Sequence, residues 1–258
     1  MSFAGAGLLF LAVSGIALVV LALATARRPT TQIADRAGYF AQWSVLHGGY
    51  DPMSGSVFLR GWLSVVWWLC RPLAQRGIQP DVLTVCSVWL ALTMFVPAEA
   101  GGRWLLLAGL ILVLSGLFDS LDGCVAVLQG RSTSWGYVLD SVVDRVNDAL
   151  FLVVVVLAGA PLRLAVACGF LCFLLEYLRA RAGNAGSDAV GRITVGERPN
   201  RVIFLAAGLL VAGVFVNHHA LAALVALTTL TALTALGIVQ LAIVVRRQLL
   251  AAGQAGQA

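Results

Sequence analysis

Apolar runs of membrane-crossing length recur along the chain, separated by short polar or Gly/Pro breaks. The first covers residues 6–25 (AGLLFLAVSGIALVVLALAT) and is followed at once by Arg27 and Arg28. Further runs fall near 82–98, 103–128, 135–159, 162–182, 202–217 and 220–245, which makes seven predicted helical spans. The breaks are physical ones: Pro97 to Gly102, Gly159-Ala160-Pro161 and Asn217-His218-His219. Asp81, after Pro80, is placed to cap the second span. Residues 29–60 are more polar and include Gly48-Gly49-Tyr50-Asp51-Pro52, which reads as a turn-rich connector.

Residues 57–75 (VFLRGWLSVVWWLCRPLAQ) differ from the spans. They mix Trp62, Trp67 and Trp68 with Arg60 and Arg71, and Arg76 follows. Amphipathic helices lying in the membrane interface have this character, and a tilted full span is the competing reading. The pattern predicts an all-α, polytopic membrane bundle. Residues 1–56 are its N-terminal span and connector, 57–247 the main membrane domain, and 248–258 a disordered Ala/Gly/Gln tail.

Composition supports a bilayer-embedded chain: 60% of residues are hydrophobic, 11% charged, and mean hydropathy is +0.93. All 17 basic residues are Arg. On the predicted topology fifteen of them fall on one side of the membrane: Arg27, Arg28, Arg36, Arg60, Arg71, Arg76, Arg131, Arg145, Arg179, Arg181, Arg192, Arg198, Arg201, Arg246 and Arg247. Only Arg103 and Arg163 fall on the other. Positive residues mark the cytoplasmic side, so the N-terminus is expected outside and the C-terminus inside. The first run is expected to be a retained span, because no positive charge precedes it; its ALATA stretch keeps a cleaved signal peptide open as the alternative. The excess charge of +5 is accounted for by topology and calls for no nucleic acid. The five Cys sit mainly in apolar runs, without His partners, and suggest neither zinc nor a disulfide framework. His47, His218 and His219 read as loop or interface histidines.

Against this apolar background, five of the twelve carboxylates crowd into Asp119–Asp148. Asp119 and Asp122 are three apart, and Asp140, Asp144 and Asp148 four apart, so each set shares a helix face. The turn around Gly130 to Ser134 would point the two faces at one another. Like charges gathered in an apolar bundle call for a cation, and oxygen donors suit Mg²⁺, Mn²⁺ or Ca²⁺. On the predicted topology the cluster sits just inside the cytoplasmic boundary. Gly123 and Gly136 leave space for a bulky anion. This equipment suits a pyrophosphate clamp on a lipid-tailed substrate.

The pattern Asp-x-x-Asp-Gly-x-x-Ala, then Gly-x-x-x-Asp-x-x-x-Asp, resembles the motif of CDP-alcohol phosphotransferases. Here it is Asp119, Asp122, Gly123, Ala126, Gly136, Asp140 and Asp144. Pro80–Thr84, Tyr177–Ala182 and Glu197–Arg201 are similar to segments of the actinobacterial phosphatidylinositol phosphate synthases, so the resemblance covers roughly residues 60–245. It implies a six-helix core, to which the first span and its connector are additions, and a homodimer.

It also implies roles. Asp119, Asp122 and Asp140 would hold two divalent ions, Mg²⁺ or Mn²⁺, against the pyrophosphate of CDP-diacylglycerol or a similar CDP-lipid. Asp144 would complete the metal site and act as general base on the acceptor hydroxyl, with CMP as leaving group. Gly123, Ala126, Gly136 and Thr84 would lie along the CDP-lipid. Where the family has Arg after the motif Ala, this chain has Val127; Arg131 is the candidate substitute, with a water-facing Arg as the alternative. Arg179, Arg181, Arg198 and Arg201 would receive a phosphorylated acceptor, inositol phosphate first and glycerol phosphate second. Ser132, Thr133 and Ser134 could add hydroxyls or cap the fourth span, and Asp148 could partner an Arg or serve as a polar packing group. Two other readings stay open: a non-catalytic CDP-lipid-binding relative, and a membrane cation transporter.

Overall fold

The computed structural model describes residues 3–27, 34–46, 49–53, 57–187 and 194–255. Arg28, His47, Gly48 and Arg192 lie outside them. The described residues form α-helices and no strand: α1 (Phe3–Ala24), α2 (Arg36–Leu46), α3 (Val57–Arg76), α4 (Pro80–Thr93), α5 (Phe95–Ala100), α6 (Trp104–Gln129), α7 (Ser134–Leu157), α8 (Leu162–Asn184), α9 (Arg198–Val214) and α10 (His219–Ala255). Pro80–Ala100, Trp104–Gln129 and Val216–Ala251 are each long and apolar enough to cross a membrane. Large side chains such as Ile16, Val166, Phe170, Leu221 and Val239 stand more than half exposed. Apolar faces this extensive belong against lipid. This is an all-α membrane protein.

The chain divides into two compact units, Met1–Thr93 with Leu114–Asn147, and Met94–Val113 with Asp148–Ala258. The first unit is built on a stripe of α3, Leu63, Val66, Cys70 and Ala74, at helical spacing. It packs with Tyr39 and Phe40 of α2 and with Leu121, Cys124, Val125 and Leu128 of α6. The opposite side of α3 carries Trp68, 70% exposed, while Arg71 lies 5.6 Å from the Trp67 ring centre. The predicted amphipathic character of 57–75 is therefore present, with its apolar stripe turned onto the protein.

In the second unit, α10 packs against α8 and α9. Small residues permit close approach: an added Cβ on Gly208 would lie 2.5 Å from that of Ala226, and one on Gly213 would lie 2.6 Å from the backbone nitrogen of Leu106.

Several local expectations are corrected. The connector contains a helix, α2, started by Asp35, whose Oδ1 accepts the Gly38 N–H at 2.8 Å; burial of Tyr39 and Phe40 provides the tertiary support that polarity concealed. Asp81 is not the N-cap of α4. That helix begins with Pro80, whose missing N–H is no loss in a first turn, and Gln79 accepts the Val82 N–H at 3.2 Å. Pro97 is absorbed in the first turn of α5, and the chain breaks after it at Gly101. The tail expected to be disordered from 248 continues α10 to Ala255, where Ala, Leu and Gln are good helix formers.

Gly213→Ala should destabilise by about 1–3 kcal/mol through overpacking against Leu106. Gly61→Ala, on an open face of α3, should be neutral or slightly stabilising. Thermal unfolding in detergent compares the two.

Candidate metal centre and the arginine network

The acidic motif is assembled by a helix–turn–helix within the first unit. At the end of α6, the Gly130 N–H donates to Val127 O (3.1 Å) and the Arg131 N–H to Ala126 O (2.9 Å). Closing the helix this way needs a left-handed residue, and Gly130 has φ +62°. Two residues on, Thr133 caps α7 by accepting the Gly136 N–H on Oγ1 at 2.9 Å. Of the three hydroxyls in the turn, Thr133 thus takes the capping role.

This turn brings Asp119 together with Asp140 and Asp144, with one carboxylate oxygen of each within 4.8 Å of the others. At an effective dielectric near 20, each such pair of charges repels by about 3 kcal/mol. Three converging hard oxygens suit a divalent ion of the Mg²⁺, Mn²⁺ or Ca²⁺ kind, so the donor set fits the metal that the motif implies. Arg145 lies 3.7 Å from Asp144.

Asp122 stands apart from this trio in its bonding. It is buried, with Oδ2 accepting the Thr84 hydroxyl at 2.5 Å and Oδ1 accepting the Gly123 N–H at 2.5 Å. Thr84, expected along the CDP-lipid, therefore fixes a carboxylate. Behind it runs a buried polar chain that sequence reasoning missed. Asn147 Nδ2 donates to Ser87 Oγ (2.9 Å), and Ser87 Oγ donates to Thr84 O (2.7 Å). Ser115 Oγ donates to Ser87 O at 2.9 Å.

An added Cβ on Gly123 would meet nothing within 4 Å, which leaves that face open; on Gly136 it would lie 3.2 Å from Thr133 Oγ1 and 3.7 Å from Asp81 Oδ1. Ala126 is half-buried between these positions in sequence. Val127 packs on the apolar cluster of α3 and α6. Arg131 donates to Gln129 Oε1 (3.2 Å) and to the Arg27 carbonyl (3.0 Å).

The second unit gathers three of the four predicted acceptor arginines. Arg201, 1% exposed, donates to Asp148 Oδ2 (2.6 Å) and Glu176 Oε1 (2.7 Å). Arg179 donates to Glu197 Oε1 at 2.6 Å and lies 3.6 Å from Glu176 Oε2. Arg198 Nε lies 3.9 Å from Asp148 Oδ1. Arg181 is exposed on the last turn of α8. Asp148 is thus an arginine partner. Glu176 and Glu197 were missed, although the Glu176–Arg179 spacing of three was a usable signal.

Fold and site together define a membrane helical protein with a carboxylate cluster of a kind that could hold a metal ion. A family model described as CDP-alcohol phosphatidyltransferase matches residues 77–238, and the chain belongs to that family of membrane-bound transferases. It is 33% identical to phosphatidylinositol phosphate synthase of Mycobacteroides abscessus over 174 residues, which covers 63% of this chain and 76% of the relative. It is 32% identical to archaetidylinositol phosphate synthase of Pyrococcus horikoshii over 156 residues, covering 60% and 81%. Among solved structures it resembles Mycobacterium tuberculosis phosphatidylinositol phosphate synthase with CDP-DAG bound. The TM-score is 0.56 and the identity 28%, over 70% of this chain and 94% of that one. A second structure of that synthase, in complex with manganese and citrate, matches with TM-score 0.54 at 27% identity over 70% and 88%.

Arg201→Met should lower stability by about 3–5 kcal/mol, because it leaves buried Asp148 and half-buried Glu176 with only their longer contacts to Arg198 and Arg179. Arg181→Ala should stay within about 0.5 kcal/mol of the parent. Melting temperatures of the purified variants test both.

Proposed function

We propose that this enzyme transfers a phosphatidyl group from CDP-diacylglycerol to a phosphorylated polyol, inositol phosphate, and releases CMP. The observation that carries the reading is the convergence of Asp119, Asp140 and Asp144 within 4.8 Å, beside a buried and hydrogen-bonded Asp122. The relatives support the acceptor more firmly than the lipid. Their names share inositol phosphate and differ in the lipid part.

In this reading Asp119, Asp122, Asp140 and Asp144 hold two divalent ions, Mg²⁺ or Mn²⁺. The chemistry supplied there is neutralisation of the pyrophosphate and of the departing CMP. Asp144 takes the proton of the acceptor hydroxyl as its oxygen bonds to the lipid-bearing phosphorus. The bond from that phosphorus to the oxygen bridging it to the cytidylyl phosphate breaks, and CMP leaves with that oxygen. Gly123, Gly136 and Ala126 leave room for the nucleotide, and Thr84 orients Asp122. Arg179 and Arg198 have side chains 17% and 14% exposed and serve the acceptor phosphate, assisted by Arg181. Arg201, at 1%, fixes the acidic partners that hold the network.

The arginine asymmetry, fifteen against two, supports a cytoplasm-facing site with the N-terminus outside. Exposed Trp135 and Tyr137 flank Gly136 and suit an interfacial depth. A homodimer is part of the same reading, on the family's pattern.

The test is CMP release from labelled CDP-diacylglycerol by the purified protein, with inositol phosphate, glycerol phosphate and inositol as acceptors. Inositol phosphate should give the highest rate, and chelation of divalent metal should abolish it. Asp144→Asn should slow turnover by about 10²–10⁴-fold, and Arg179→Ala or Arg198→Ala should raise KM for the phosphorylated acceptor. A folded protein that releases no CMP with any acceptor refutes the enzymatic reading, and full activity in Asp144→Asn removes the assigned base.

A further inference from the structure

The family match begins at residue 77, so α1, α2 and α3 lie outside it. Yet α1 is tied by specific polar contacts to α4 and, at its exit, to the turn between the two acidic helices. Midway along it, the Trp89 indole N–H of α4 donates to Leu11 O (3.2 Å) and to Ser14 Oγ (3.1 Å). The ring lies so close to Gly15 that an added Cβ would stand 2.5 Å from it. At the exit of α1, Gln79 Nε2 donates to Thr25 O (3.0 Å), and the Arg27 N–H donates to Gly77 O (2.8 Å). Gln79 and Gly77 belong to the turn that opens α4, the helix of Thr84 and Asp81.

The same exit also meets the turn between the acidic helices. Arg131, just after Gly130, donates to the Arg27 carbonyl at 3.0 Å and to Gln129 Oε1 at 3.2 Å. Gln129 in turn donates through Nε2 to Ile78 O (3.0 Å) and Ala74 O (3.3 Å). One guanidinium and one carboxamide therefore link three segments: the exit of α1, the α3–α4 turn and the α6–α7 turn. The last of these sets the separation between Asp119 on α6 and Asp140 and Asp144 on α7.

We propose that the N-terminal helix is a positioning element of the metal centre, acting through Arg131, which latches the turn between the two acidic helices to the exit of α1. This rests on the metal-binding reading of Asp119, Asp140 and Asp144. Arg131 is here a positioning residue, acting through the turn and not on the nucleotide. The latch matters most for the ion with the strictest geometry. Mg²⁺ requires near-ideal octahedral coordination, whereas Ca²⁺ accepts flexible and variable shells. Loosening the turn therefore weakens Mg²⁺ binding more than Ca²⁺ binding.

The test measures Mn²⁺ affinity of the purified full chain by electron paramagnetic resonance, with Mg²⁺ and Ca²⁺ as competitors and CDP binding measured in parallel. Two variants break the latch at different places: Arg131→Ala at the turn, and Gly15→Leu, which forces α1 from Trp89 while keeping it apolar. Trp89→Phe removes the indole donor and opens space at the ring atoms packed on Gly15, a third break of the same contact. Each should weaken Mg²⁺ competition, by about tenfold for Arg131→Ala, with a smaller change for Ca²⁺, and Arg131→Lys should recover part of the loss. Unaltered Mg²⁺ and Mn²⁺ affinities in folded variants overturn the proposal. So does Arg131→Ala if it weakens CDP binding while metal affinity is retained. Absence of Mn²⁺ binding by the parent protein instead overturns the metal-binding reading beneath it.

Discussion

Mutual repulsion among carboxylates is the constraint on which the first unit turns. Asp119, Asp140 and Asp144 bring an oxygen each within 4.8 Å, on helices whose other residues are mostly apolar. Each pair contributes about 3 kcal/mol of repulsion without a cation, and the backbone must hold them there regardless. The local structure answers this demand. Gly130 ends α6 abruptly, Thr133 starts α7, and Thr84 holds Asp122 from a third helix. On the proposed reading, a divalent ion would turn this costly arrangement, which Arg145 beside Asp144 eases in part, into an affinity.

The same helix offers the contrasting solution one turn further along. Asp148 follows Asp144 by four residues on α7, but its charge is met by Arg201 at 2.6 Å. Here three arginines face three carboxylates, Asp148, Glu176 and Glu197, and the charges balance within the protein. Buried at 1% exposure, Arg201 has no reserve for a mobile anion. The partly exposed Arg179 and Arg198 keep solvent-facing edges. Burial thus separates Arg201 from Arg179 and Arg198, and on the proposed reading only the latter two would meet an acceptor, a distinction invisible in a list of four basic residues.

Much of this was legible in the sequence because it depends on spacing. Intervals of three and four placed the carboxylates on shared faces, and the glycine before Arg131 marked the reversal. Apolar run lengths located helices close to where they stand, as with 103–128 against Trp104–Gln129. What escaped depends on partners distant in sequence. No local pattern shows that Thr84 meets Asp122 across 38 residues, or that Asn147 reaches Ser87 across 60. Helix α2 escaped for the opposite reason: its polar composition masked a helix stabilised by two buried aromatic residues. Residues 248–255 are helical although Ala, Gln and Gly suggest disorder by composition, because the preceding long helix supplies a nucleus that makes propagation cheap.

Val127, where the motif breaks, and Arg131, one turn on, make different contacts. Val127 packs on the apolar cluster shared by α3 and α6, so its side chain has a structural role of its own. Arg131 has both of its hydrogen-bonded nitrogens directed to Gln129 and the Arg27 carbonyl. Reaching back one turn to replace a missing arginine would require giving up both contacts and freeing the exit of α1. The first contact is part-buried and the second exposed, so each contributes modestly, and together they direct the guanidinium towards Gln129 and the exit of α1. Val127 and Arg131 thus make separate contacts, one within the apolar cluster and one at the exit of α1. On the proposal above, the latter serves the N-terminal helix, because its guanidinium meets the carbonyl of Arg27.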